Sequence, residues 1–208
     1  MDLRIDSHKL LYHPARIASW MSGENILPIN MEICITGACN HRCIFCCYDY
    51  LEYKPDSLDY DVFMKNIRDV SPLTKGEHGV KSILFAGTGE PALHPDFVDI
   101  INGTKRCGVD VALSTNGVLF TPEKANACMA SISWIRFSVS GGTEETYHRI
   151  HRGMDGDLQR VFDNIQYAVE LKKTKKIENC VECSNCHDSR QFERNFPIGS
   201  KGQRTGGR

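Results

Sequence analysis

Four cysteines fall within nine residues, Cys39, Cys43, Cys46 and Cys47. The first three have the spacing C-x3-C-x2-C in the run Cys39-Asn40-His41-Arg42-Cys43-Ile44-Phe45-Cys46. Thiolates at such spacing hold zinc or an iron–sulfur cluster. Three thiolates from one short loop can wrap a cubane and bind three of its irons, whereas an electron-transfer cluster ordinarily recruits a fourth cysteine. With three, one iron keeps an open position for an exogenous ligand, as catalytic metal sites do. Cys47 is adjacent to Cys46 and must turn away from the same cubane. The alternative is a zinc ion, with His41 completing a tetrahedron.

Three further clusters carry residues suited to ligand contact: Gly87-Thr88-Gly89-Glu90-Pro91, Ser114-Thr115-Asn116-Gly117 and Ser138-Val139-Ser140-Gly141-Gly142. A Gly-rich turn and an Asn-Gly turn are the plain alternatives for the first two. Cys180, Cys183 and Cys186 form a second candidate metal site, with a zinc knuckle or a thiol-rich tail as its alternatives.

Each cluster needs an element to aim it. Met31, Ile33 and Ile35 alternate with Glu32 and Cys34, a strand period that leads into the cysteine loop. Ser57 or Asp59 caps a helix with Phe63, Ile67 and Val70 on its inner face. Ser82–Ala86 is a buried strand ending at Gly87, and Pro95-Asp96 opens a helix that Gly108 stops. Val109–Ser114 is a third strand, and Thr121-Pro122-Glu123 starts the next helix. Ile132–Val139 is a fourth strand, followed by helical spacing over Leu158, Val161, Phe162, Ile165 and Val169. This order, strand then helix four times over, predicts an α/β fold of parallel strands with right-handed crossovers. In a parallel barrel the C-terminal strand ends form one mouth, so all four clusters converge there. Cys34, Cys107 and Cys128 are expected to be small buried residues, and His94 a structural or exposed one.

The chain divides into a lead-in over residues 1–30, a core over 31–176 and a polar Cys/Gly-rich tail over 177–208 that offers no clear further strand and is expected to pack poorly. Its 208 residues suffice for one sizeable core, and a formal net charge of −1 points to neither nucleic acid nor an anionic membrane. No apolar run nears the roughly 20 residues of a membrane span. The N-terminus lacks the apolar core of a secretion signal, so a reducing cytoplasmic location is expected for a chain in which seven of ten cysteines fall in two tight bunches.

The four clusters together resemble the radical S-adenosylmethionine (SAM) superfamily. The C-x3-C-x2-C loop with Phe45 before its last cysteine, placed after a first strand, is similar to that family's cluster motif. Gly87-Thr88-Gly89-Glu90-Pro91 resembles its GGEP motif, with Thr88 at one common glycine position. Ser114-Thr115-Asn116-Gly117 and Phe137-Ser138-Val139-Ser140-Gly141 resemble its third- and fourth-strand motifs, Ser140 standing where an Asp is common. The likeness covers roughly residues 31–172.

The resemblance implies a [4Fe–4S] cluster on Cys39, Cys43 and Cys46 whose open iron chelates SAM. It implies reductive SAM cleavage to methionine and a 5′-deoxyadenosyl radical that acts on an unknown substrate, with flavodoxin or ferredoxin as electron donor. Cofactor contacts would come from Phe45 near the adenine, Gly87 and Gly89, Glu90 at the SAM ammonium, and Ser114 and Asn116 at the ribose or methionine. Ser138 and Arg152 would meet the carboxylate, with Arg149 the alternative to Arg152. A full barrel of this family has six β/α units, and four are recognisable here, so the chain reads as a partial radical SAM barrel and a truncated member. The run from His13-Pro14 to Pro28 resembles the lead-in of longer members. The competing reading is a non-catalytic radical-SAM-like or zinc-binding scaffold.

Overall fold

The computed structural model describes residues 12–48, 50–52 and 54–184. Helix α1 (Pro14–Met21) begins with a proline at its first turn, where a missing N–H costs nothing. It is followed by β1 (Asn30–Ile33), α2 (Tyr60–Val70), the short α3 (Pro72–Lys75), β2 (Ser82–Phe85), α4 (Phe97–Arg106), β3 (Asp110–Thr115), α5 (Pro122–Cys128), β4 (Ile132–Phe137), α6 (Glu144–His151), α7 (Asp157–Lys175) and β5 (Cys180–Cys183). Asp59, not Ser57, caps α2, its side chain accepting from the Val62 N–H at 2.9 Å. The lead-in is tied down by Arg16, whose guanidinium is buried and donates to the carbonyls of Leu27, Pro28, Glu77 and Gly79.

All five strands are parallel and lie in chain order, β1-β2-β3-β4-β5. Chain order without reversal belongs to a singly wound barrel wall, whereas doubly wound open sheets reverse it. The register stacks Phe85 beside Leu113, Leu113 beside Ile135 and Ile135 beside Val181. These four side chains are buried. Against the same core pack Phe63, Met64 and Ile67 of α2, Phe97, Ile100 and Ile101 of α4, and Leu158, Val161 and Ile165 of α7. Phe97, Phe120 and Phe137 form an edge-to-face chain, with centroids 6.5 and 5.9 Å apart. Each such buried side chain contributes roughly 2 kcal/mol. The alternate strand positions, Leu84, Ala112, Ser114, Trp134, Arg136 and Glu182, are half-buried or exposed.

Two expectations change. The core does not stop at Lys176: β5 pairs with β4 from Trp134–Cys180 to Phe137–Cys183, and Ser184 N–H donates to Phe137 O. The strand spans four residues and buries only Val181 and Cys183, so its sequence carries almost no apolar signal. Cys34 is exposed just beyond β1 rather than buried, whereas Cys107 and Cys128 are buried as expected. His94 is structural: its Nε2 lies 2.8 Å from Leu58 O and its Nδ1 accepts from the Asp96 N–H. Residues 185–208, including Cys186, lie outside the described residues.

Candidate metal and cosubstrate site

The cysteine loop leaves the end of β1 and returns at residue 57, and its neck is pinned shut. Thr36 and Ser57 form an isolated antiparallel bridge, Gly37 N–H donates to Asp56 O at 2.7 Å, and Leu58 N–H to Ile35 O at 2.9 Å. Closing the neck this way makes a long excursion behave as one compact loop. Within it, Cys46 N–H donates to Cys43 O and the Arg42 guanidinium donates to the carbonyls of Cys39 and His41.

The loop after β2 clamps it from one side. Glu90 N–H donates to Ala38 O at 2.7 Å. A Cβ on Gly89 would lie 2.0 Å from Thr36 O and 2.7 Å from Ala38 O, so this approach requires glycine. Gly87 takes a φ of +119° against Cys34. Glu90 itself is only 2% exposed. Its Oε1 accepts from Ala92 N–H at 3.0 Å and the Thr115 hydroxyl at 2.7 Å, and its Oε2 from Asn116 N–H at 2.7 Å. Burial pushes the carboxyl up from its ordinary value, against the pull of those three donors. Asn116 extends the clamp, its Nδ2 donating to Asn40 Oδ1 at 2.7 Å and its Oδ1 accepting from Val118 N–H. Glu90 and Asn116 therefore fasten the ends of β2 and β3 to each other and to the cysteine loop.

The C-terminus of α6 clamps the other side. Its last carbonyls, which no intrahelical donor reaches, accept from the loop: Arg42 N–H to His151 O and Ile44 N–H to Ile150 O. His41 is buried, with Nε2 3.1 Å from Asp157 Oδ2. Burial pushes the His41 ring below its ordinary value and outweighs the neighbouring carboxylate, so the ring is neutral and donates. Burial alone would raise the Asp157 carboxyl, but donors from Met154 N–H, His41 and Arg160 hold it below the usual carboxylate range. Gly153 makes room for this pair, since a Cβ there would lie 2.5 Å from Asp157 Oδ2 and 2.6 Å from His41 Nε2. His151, also buried, has Nδ1 3.2 Å from Cys43 Sγ and accepts from Ser140 N–H at Nε2.

These clamps leave an open cleft at the strand ends. Cys39, Cys43, Cys46, Phe45, Gly87, Gly89, Glu90, Ser114, Asn116 and Ser138, all anticipated from sequence, line it together with His41, Thr88, Thr115 and His151. Phe45 stands at the mouth, 62% exposed, so it is no core residue. Arg152 is not in the lining: it is exposed and ends α6 in a left-handed conformation, φ 49°. Cys183 is buried in β5 and Cys180 exposed on it; successive side chains of a strand face opposite ways, so residues 180 and 183 lie on opposite faces.

The donor set fits a cluster better than one zinc ion. Zinc–sulfur bonds of about 2.3 Å in a tetrahedron place sulfurs roughly 3.8 Å apart. Among the described residues, the set whose ligand atoms lie within 4.8 Å of one another is His41, Cys43 and His151, not the three thiols. Within that set His151 is already committed, since its Nε2 accepts an N–H and a neutral ring then carries its proton on Nδ1, toward Cys43 Sγ, leaving His151 no lone pair for a metal. Burial and neighbouring thiols push Cys43 up to about 12, and burial raises Cys39, so both are thiols until a metal takes the proton's place. His151, Asp157 and Gly153 carried little signal in the sequence, and His41 read only as a possible zinc ligand, because their roles arise where α6 and α7 meet the loop.

The sequence model of the Radical SAM superfamily matches residues 33–181. A tungsten-containing aldehyde ferredoxin oxidoreductase cofactor-modifying protein from Pyrococcus furiosus is 38% identical over 89 residues, 43% of this chain and 24% of that protein. A probable GTP 3′,8-cyclase from Saccharolobus islandicus is 30% identical over 143 residues, 68% of this chain and 44% of that protein. The chain thus spans less than half the length of these relatives. Among solved structures, Streptococcus suis SuiB bound to precursor peptide SuiA has a TM-score of 0.61 at 16% identity, covering 95% of this chain and 42% of that one. Native anSMEcpe with bound AdoMet has a TM-score of 0.56 at 22% identity, covering 82% and 50%. With the family match over most of the chain and the parallel wall that those structures share, this protein belongs to the radical SAM superfamily.

Proposed function

We propose that the chain holds a [4Fe–4S] cluster through Cys39, Cys43 and Cys46 and binds SAM beside it, as a radical SAM enzyme acting on an unknown substrate in a reducing, cytoplasmic setting. The observation that carries this is convergence: three thiols and the ends of β2, β3 and β4 line one cleft. Held by Cys39, Cys43 and Cys46 beside bound SAM, the cluster would supply one-electron reductive cleavage of SAM to methionine and a 5′-deoxyadenosyl radical, with the electron taken from a donor such as flavodoxin or ferredoxin. The chain's own residues bind, orient and exclude water. Three donors occupy Glu90, which leaves one lone-pair direction on Oε2 for the SAM ammonium. Ser114 and Ser138 present hydroxyls to the same cleft, and Phe45 offers a flat face for the adenine at its mouth. Asn116 braces the loop with one Nδ2 hydrogen and one Oδ1 lone pair, and its second N–H and lone pair stay free for the ribose or methionine.

Anaerobic reconstitution of the full chain with iron and sulfide, followed by iron analysis, EPR of the reduced protein and a SAM cleavage assay, tests the reading. Cys39→Ala, Cys43→Ala and Cys46→Ala should each lose the SAM-responsive EPR signal, and Cys47→Ala should keep it. Bound zinc with no iron and no methionine released would replace this reading with the scaffold.

A further inference from the structure

We propose that His151 is a positioning residue for the cluster: its neutral imidazole donates Nδ1–H to the Cys43 sulfur and raises the reduction potential of the group that sulfur ligates. The inference rests on the cluster reading above.

The Nδ1 atom lies 3.2 Å from Cys43 Sγ. Ser140 N–H points at Nε2 from 2.9 Å. A backbone N–H is a donor at any pH, so Nε2 must offer a lone pair. The one neutral tautomer that does so carries its proton on Nδ1, and that proton faces the sulfur. A doubly protonated ring would set two N–H groups against each other at Nε2.

The ring is also held in place. It is 1% exposed, lies 4.3 Å from the Tyr147 ring at a tilt of 32°, and meets the edge of Phe45 at 5.8 Å. The backbone carbonyl of the same residue accepts from Arg42 N–H, so main chain and side chain of His151 both grip the cysteine loop. Among the described residues, the donor to Cys39 Sγ is a backbone one, His41 N–H at 3.4 Å.

Reduction adds negative charge to the cluster and its thiolates. An N–H directed at one sulfur stabilises that charge, so it favours the reduced form and lifts the potential. The donor comes from the helix after β4, which couples the cluster's potential to how the fourth β/α unit packs.

The test uses the full chain, loaded anaerobically with iron and sulfide and free of SAM. Wild type, His151→Leu and His151→Asn are titrated against redox mediators with EPR detection. His151→Leu should bind a full iron complement and shift the redox equilibrium about tenfold toward the oxidised form, a fall of about 59 mV for one electron. His151→Asn places an amide N–H near the Nδ1 position and should restore most of the shift. Equal midpoints in wild type and His151→Leu would overturn the proposal while leaving the cluster reading intact. A wild type that takes up no iron would overturn both. If His151→Leu fails to fold, electron–nuclear double resonance on the wild type decides. Coupling to a ¹⁵N-labelled imidazole with an exchangeable proton supports the proposal, and its absence overturns it.

Discussion

Replacing Glu90 by alanine removes the acceptor for three donors at once. Ala92 N–H, Asn116 N–H and the Thr115 hydroxyl converge on one carboxylate that is 2% exposed. The hydroxyl can turn toward another acceptor, but the two backbone donors are fixed by the strand ends. Each buried donor left unpaired costs about 1–3 kcal/mol, so Glu90→Ala should destabilise the protein by about 4 kcal/mol before any ligand is considered. For a chain of this length about 1 kcal/mol moves Tm by roughly 2–4 °C, which predicts a fall near 12 °C. Glu90→Gln is the finer probe. It keeps one oxygen for Ala92 and Thr115 but sets an NH2 against Asn116 N–H, a loss of about 2 kcal/mol and roughly 6 °C. Thermal unfolding of the iron-free protein by circular dichroism reads this structural part alone. SAM titration of the loaded protein then reads the ligand part, where Glu90→Gln should lose about 1.5–3 kcal/mol for one charge-assisted hydrogen bond. An unchanged Tm in the iron-free Glu90→Ala protein would refute the bracing role. Unchanged SAM affinity in Glu90→Gln would remove Glu90 from the ligand site.

Three further outcomes follow from the same geometry. Gly89→Ala and Gly153→Ala should each disturb the cysteine loop and cut iron uptake, because the added Cβ meets Thr36 O at 2.0 Å or Asp157 Oδ2 at 2.5 Å, while Gly142→Ala, with nothing within 4 Å, should match wild type. Asp157→Asn should lower Tm at neutral pH by the equivalent of about 1.5–3 kcal/mol. The Asp157 carboxyl is held below its ordinary value of 3.8, so its contribution is present above that pH and fades as pH falls through the folded value; melting followed from pH 7 into the acid range should show the full deficit at pH 7 and a shrinking one as the carboxyl takes up its proton. Truncation after Ile177 removes β5 and exposes the edge of β4, so Tm should fall by roughly 6–12 °C, from about 3 kcal/mol of burial lost with Val181 and Cys183, whereas truncation after Ser184 retains that burial.

The residues that could do chemistry were legible because their signals are local. Three cysteines in one loop, a Gly-rich turn carrying Glu90 and a Ser-Thr-Asn-Gly turn are spacings along the chain, and strand–helix alternation alone predicts that such turns share one mouth. The strands β1 to β4 were readable for the same reason, their apolar residues recurring at period two or in short runs. Strand β5 was not, since a four-residue edge holding two cysteines and a glutamate is made a strand by the exposed edge of β4, not by its own composition.

What the tertiary structure decided is which neighbours each side chain answers to. Glu90 read as a ligand contact, and packing made it also the brace between two strand ends. Asn116 read as a ligand contact, and packing made it also a tie between the β3 end and the cysteine loop through Asn40. Arg152 read as a carboxylate partner, but the left-handed turn that ends α6 leaves it outside the cleft, and the residue before it, His151, reaches the Cys43 sulfur instead. A hydrogen bond between residues 108 positions apart depends on helix length and on the angle at which α6 returns to the loop, and spacing along a chain carries neither quantity.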